Sequence, residues 1–238
     1  MSLQPVVSGV YQISFGVVSA YLIDDGVLTL IDTGIPGSAP AIMDALRELG
    51  KQPKDIGHII LTHLHADHVG SAKAVQQASG AQVYMHPLDT DDFLRGNVMR
   101  PVQPAPGLIN QIIVRSFMNR REPMAIEPVA IDSSLDDGQE LSFASGLKVI
   151  HTPGHTAGHV VLLWPRQGGV LFGADACGNM FGLSTSPIYE DYPEGLRSLK
   201  KISGLTFDTA CMAHGKPIRG NAVEKFRRKW GLERTMPA

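Results

Sequence analysis

The densest chemistry in this 238-residue chain lies in Thr62-His63-Leu64-His65-Ala66-Asp67-His68, where four side chains able to bind a metal fall within six residues. Imidazole and carboxylate are donors suited to zinc, iron or manganese, and catalytic zinc sites combine N and O ligands with one open position. A solvated polar loop is the plainer alternative, but a histidine-rich tract of this density is a metal-binding composition. In an extended segment, residues two apart project to one side. His63, His65 and Asp67 are therefore expected to converge, with His68 beginning the turn into a helix.

These side chains need a frame. The apolar run Ile59 to Thr62 reads as a buried strand delivering the string, and Gly70 to Ser79 as the helix that follows, leading to a strand over Gln82 to Met85. Upstream, Val10 to Phe15, Ala20 to Ile23 and Val27 to Ile31 read as a meander, and Ser38 to Leu49 as a helix with Ile42, Ala45, Leu46 and Leu49 on one face, closed by Gly50. Downstream, strands are expected at Leu147 to Ile150, His159 to Trp164, Val170 to Phe172 and Thr209 to Met212. Helices are expected over Glu194 to Ile202 and near Ala222 to Trp230. Strand-rich halves flanked by helices make a layered α/β two-sheet sandwich, read as a single domain over residues 1–238. Residues Met1 to Leu3 read as a cloning remnant.

The stretch from Pro87 to Pro128 differs, with six prolines, five arginines and no lysine. Its apolar pattern at Leu108, Ile109, Ile112, Ile113, Phe117 and Met118 is helical. It reads as an inserted, partly helical cap with its own small core, either a surface excursion or a cover for substrate.

Five motifs in order carry a resemblance: Asp32 in Ile31-Asp32-Thr33-Gly34, the His63-x-His65-x-Asp67-His68 string, His155 in Thr152-Pro153-Gly154-His155-Thr156-x-Gly158-His159, Asp175 in Phe172-Gly173-Ala174-Asp175, and His214 in Ala213-His214-Gly215. The chain resembles the metallo-β-lactamase superfamily, in its glyoxalase II-like and lactonase-like branch. That resemblance implies a four-layer αββα sandwich with two divalent ions, zinc first and iron or manganese as alternatives, at one edge of the sheets. It implies that His63, His65 and His155 hold one ion, that Asp67, His68 and His214 hold the other, and that Asp175 bridges them. Asp32 would orient an imidazole, since metal-bound histidines donate their other N–H to such groups; a turn aspartate is the plainer reading. His58, His86, His151 and His159 read as structural or supporting residues, and Cys177 as a packed thiol.

The reaction implied is hydrolysis of an acyl bond in a lactone, ester or thioester, with Asp67 passing a proton to the leaving group. By the same resemblance Tyr189 donates to the substrate oxygen, against a plain packing role. Asp175 argues against the true β-lactamases, which remain an alternative. Only 24 residues follow His214 and no lysine lies between Asp175 and Tyr189, which argues against glyoxalase II itself. A rival from another class is a persulfide dioxygenase-like oxidoreductase with one iron on His63, His155 and Asp175. A non-catalytic metal-binding module is the bland alternative.

Composition narrows the partners. A net charge of -2, 43% hydrophobic and 18% charged residues offer no bulk attraction to nucleic acid and no signature of disorder. Lys225, Arg227, Arg228 and Lys229 read as a solvated helix face. No Lys or Arg precedes Arg47, and the longest clean apolar run, Val160 to Trp164, cannot span a bilayer. The expectation is a cytoplasmic protein acting on a small acyl substrate, with no membrane or nucleic-acid partner; a homodimer is left open.

Overall fold

The structure, a computed structural model, describes residues 2–108, 110–112, 114 and 124–231. Its frame is two sheets packed face to face with helices on both outer sides, the expected αββα sandwich. The first sheet has seven strands in the order β1 (Ser2–Val7), β2 (Val10–Ser14), β3 (Ser19–Asp25), β4 (Val27–Ile31), β5 (Ile56–Leu61), β6 (Gln82–Met85) and β8 (Ser133–Ser134). The second has five, in the order β16 (Thr209–Met212), β12 (Val170–Ala174), β11 (Val160–Trp164), β10 (Leu147–His151) and β9 (Glu140–Leu141). A short hairpin of β13 (Cys177–Gly178) and β14 (Ser184–Thr185) follows β12.

Period-2 alternation divides the apolar residues among three cores. In β3, Ala20 and Leu22 face the outer helices α1 (Ala39–Glu48) and α3 (Ala72–Ser79), whereas Tyr21 and Ile23 enter the space between the sheets. In β11, Val160, Leu162 and Trp164 enter that same space and Val161 faces outward. The outward face of the second sheet packs with Leu199 and Ile202 of α5 (Tyr192–Ser203) and Ala222 and Phe226 of α6 (Ala222–Phe226). The Tyr21 hydroxyl donates to the Met212 carbonyl at 2.8 Å and ties the two sheets near the site. Among the described residues no helix is long and apolar enough to cross a membrane.

Leu3, within the stretch read as a cloning remnant, pairs with Ile13 in β1–β2 and packs on the first core. One expectation changes. The cap is not an independent excursion over its described first part. Helix α4 (Pro87–Leu94) carries Phe93 into the first core together with Val98, and β7 (Gln103–Pro104) pairs with β15 (Ile188–Tyr189). Ile109, Ile113, Phe117 and Met118 lie outside the described residues.

Candidate metal centre

Parallel pairing places the C-terminal ends of four strands at one edge of the sandwich. The parallel pair β4 and β5 deliver Asp32 and His63, and the parallel pair β12 and β16 deliver Asp175 and His214. The loop from β10 to β11 adds His155. Val160 N–H donates to the Thr62 carbonyl at 3.0 Å, linking that loop to the end of β5. Two residues at this edge, Asp32 (φ 61°) and Ala174 (φ 41°), have left-handed backbones, a conformation non-glycine residues adopt where the surroundings enforce it.

The string does not stay extended. It turns at once into a short helix, α2 (Ala66–Val69), which separates Asp67 from His63 and His65. The convergence expected from strand spacing therefore holds for His63 and His65 only, because the backbone leaves period 2 after His65. Three donor groups form instead: His63, His65 and His155; Asp67, His68 and His214; and His63, His68 and Asp175, each with ligand atoms within 4.8 Å of one another. His65 Nδ1 lies 3.2 Å from His63 Nε2 and 2.9 Å from His155 Nε2. The Asp175 carboxylate stands between the groups, 3.4 Å from His155 Nε2, 3.2 Å from His214 Nε2 and 3.5 Å from His68 Nε2. Asp67 Oδ2 lies 3.4 Å from His214 Nε2.

Each outward ring nitrogen of the other histidines is held from behind. His68 Nδ1 donates to Asp32 Oδ2 at 2.8 Å, and the same carboxylate accepts from Thr62 N–H and Thr62 Oγ1, both at 2.8 Å. His63 Nδ1 meets Thr62 Oγ1 at 3.0 Å, His155 Nδ1 meets the Ile188 carbonyl at 3.0 Å, and His214 Nδ1 donates to the Val17 carbonyl at 2.8 Å. His159, fully buried, accepts from Asp175 N–H at 3.2 Å and meets Thr152 Oγ1 at 2.9 Å. These are the outer contacts that fix ligand tautomers in metal sites. The carbonyl partners, and Thr62 as a link between Asp32 and His63, left no readable mark in the sequence.

The donor set fits divalent ions. Buried polar atoms are nearly always paired in native proteins, yet His68 Nε2 and Asp175 Oδ1 are buried without a hydrogen-bond partner and face each other across the cluster. Protonation divides the groups. Burial pushes the His63, His65 and His155 imidazoles down, His65 to about 3, so they are neutral donors. The Asp175 carboxylate pushes His214 up to about 10. Burial alone would lower His68, but Asp175, Asp67 and Asp32 outweigh it and hold it charged. Burial would raise Asp67, yet His68 and His214 hold it down to about 2.

Residues 13–214 match the model of the metallo-beta-lactamase superfamily. The chain belongs to that superfamily. Among its relatives, the probable metallo-hydrolase YflN of Bacillus subtilis is 26% identical over 232 residues, covering 89% of this chain and 86% of that protein. The hydroxyacylglutathione hydrolase of Citrobacter koseri is 31% identical over 195 residues, covering 80% of this chain but 58% of that enzyme. A subclass B3 metallo-beta-lactamase of Bradyrhizobium japonicum shares the fold with a TM-score of 0.72 at 20% identity, covering 97% of this chain and 90% of that one. The superfamily's metal-binding character agrees with the histidine and aspartate donor groups described above.

Tyr189 does not join them. It is wholly buried, and its hydroxyl accepts from Ser186 N–H at 3.0 Å and donates to the Ala176 carbonyl at 3.3 Å. A hydroxyl committed to two backbone partners is not directed at a substrate oxygen, so the packing role replaces the catalytic one. Cys177 is buried, as a packed thiol should be.

Proposed function

We propose that the protein is a dinuclear metal-dependent hydrolase of an acyl bond, a lactone, ester or thioester. The observation that carries this reading is the position of Asp175 between both donor groups, which suits a carboxylate shared by two ions. A one-iron site on His63, His155 and Asp175 would leave Asp67, His68 and His214 as a second donor group without an ion. Likeness to the Citrobacter koseri hydroxyacylglutathione hydrolase supports acyl chemistry.

In this reading His63, His65 and His155 would hold one divalent ion and Asp67, His68 and His214 the other, with Asp175 available to both. Such a pair supplies an activated water at neutral pH and polarises a carbonyl. The chain's own residues do the rest. Asp32, Thr62 and the carbonyls of Val17 and Ile188 keep each imidazole's donor nitrogen inward. Asp67, at 26% side-chain exposure the most open of the carboxylates at the centre, orients a water and passes its proton toward the leaving group. Around the open edge stand exposed apolar side chains, Val17 next to the His214 contact and Met180 and Phe181 in the β13–β14 hairpin beyond Asp175, which suit the apolar part of an acyl substrate.

The test is metal quantitation on the purified protein, followed by a panel of lactones, thioesters, phosphodiesters, nitrocefin and glutathione persulfide. Two zinc or manganese ions with acyl cleavage are expected. One iron with sulfite formation from the persulfide overturns the proposal.

A further inference from the structure

Asp89 lies on α4, in the segment read from sequence as a cap, and its side chain is fully buried. A buried carboxylate survives only with its lone pairs filled, and here four donors fill them. Oδ2 accepts from Leu64 N–H at 3.1 Å and Thr156 Oγ1 at 2.7 Å; Oδ1 accepts from Gly158 N–H at 2.9 Å and from the Arg100 guanidinium. Three of these four come from two loops. Leu64 lies between His63 and His65, and Thr156 and Gly158 follow His155.

One carboxylate therefore spans the two chain segments that supply the three-histidine group, whose nitrogens approach to 2.9 Å across the gap between His65 and His155. The fit depends on Gly158, since a Cβ there would stand 2.6 Å from Asp89 Cγ and 2.8 Å from its backbone N. Arg100 extends the brace. It donates to Glu190 Oε1 at 2.7 Å, and Glu190 Oε2 accepts from Ala157 N–H at 2.8 Å, a second tie to the same His155 loop.

We infer that Asp89 is a positioning residue that sets the spacing of His63 and His65 against His155, and with it the affinity of the first ion. The inference rests on the metal reading of the site given above. It also gives the first part of the Pro87 to Pro128 segment a role, which is to carry this carboxylate and its Arg100 counterion to the back of the cluster.

The experiment is a zinc titration of the full chain against a competing chelator, resolving the two binding steps, for wild type, Asp89→Asn, Thr156→Val and Thr156→Ser, with cobalt spectra as a second readout. Asn keeps the shape of Asp89 but offers one acceptor oxygen fewer; Val keeps the shape of Thr156 and removes one donor. Loss of an outer contact of this kind weakens metal binding by roughly 10- to 100-fold. Asp89→Asn and Thr156→Val are expected to weaken the first step by that factor relative to the second and to alter the cobalt spectrum, and Thr156→Ser is expected to restore both. Should Asp89→Asn fail to fold, the Thr156 pair decides alone. Wild-type affinity for the first ion in the variants overturns the inference while leaving the metal reading intact. A wild-type protein that takes up no zinc at the three histidines overturns both.

Discussion

Asp32 and His68 are joined by a 2.8 Å bond between Oδ2 and Nδ1, made from a backbone that Asp32 holds in the left-handed region at φ 61°. Among non-glycine residues Asp and Asn tolerate that conformation best, so the position selects a residue that both turns the chain and reaches the imidazole. Asp32→Asn is expected to keep the turn but lose the charge facing His68, weakening the second ion by roughly 10- to 100-fold in chelator competition while the first is little changed. Wild-type affinity for the second ion in the variant would assign Asp32 to the turn alone.

The sharing of Asp175 predicts a different pattern. Asp175→Ala removes a carboxylate within 3.5 Å of ligand nitrogens in both donor groups, so both occupancies should fall together. Metal analysis after exhaustive dialysis decides this. Two tightly retained ions per chain in the variant would sink the bridging role.

Protonation makes the two groups respond differently to pH. His214 is raised from 6.5 to about 10, so in the ion-free protein it is a cation at pH 7, as is His68. An ion entering the Asp67, His68 and His214 group must displace those protons, whereas the His63, His65 and His155 group is already neutral. Binding of the second ion should therefore strengthen as pH rises from about 7 toward 10, with the first nearly flat. The sign for ion-free stability is opposite: the raised His214 stabilises the fold fully below about pH 6.5, and that contribution is lost as pH rises through about 10. Calorimetric titrations in buffers of different ionisation enthalpy check the coupling, and equal proton release for both ions contradicts it.

Much of the fold and of the donor cluster is legible in the sequence, for identifiable reasons. Strands β5, β6, β11 and β12 announce themselves because apolar residues alternate or run unbroken between polar punctuation, and the clustered histidines because no packed core needs them at that density. What failed was local geometry. Strand spacing placed Asp67 with His63 and His65, but α2 begins at Ala66 and turns it toward His214. Asp89 was invisible because its four donors come from residues 11 to 69 positions away, a relation that no local pattern encodes. The proline- and arginine-rich composition after Pro87 suggested a detached cap, whereas Phe93 and Val98 belong to the first core.

Tyr189 offers a direct check on a catalytic against a packing role. Among the described residues its hydroxyl bonds only to backbone at Ser186 and Ala176, and its ring rests where a Cβ on Gly195 would stand. Tyr189→Phe should cost about 1–3 kcal/mol through the unpaired buried groups left behind, with kcat on an activated ester within about twofold of wild type. A hundredfold loss of kcat at unchanged thermal midpoint would restore the tyrosine to the reaction.

Asp67 has two roles in the proposed mechanism, and they separate. As a ligand it belongs to the second group, 3.4 Å from His214 Nε2; as the most open carboxylate of the centre it faces the solvent side where a water and a leaving group would lie. In the ion-free protein His68 and His214 hold it down to about 2, so there it is an anion at neutral pH. Asp67→Asn preserves shape and one oxygen donor but removes charge and most basicity, so the second ion should weaken while the first, held by three histidines, persists. If the carboxylate also moves the proton, turnover should stay roughly a hundredfold or more below wild type when excess zinc restores both ions, the scale of a positioned acid-base group. Full recovery of turnover on adding zinc would leave Asp67 a ligand only, and single-turnover rates at saturating metal are the measurement that separates the two.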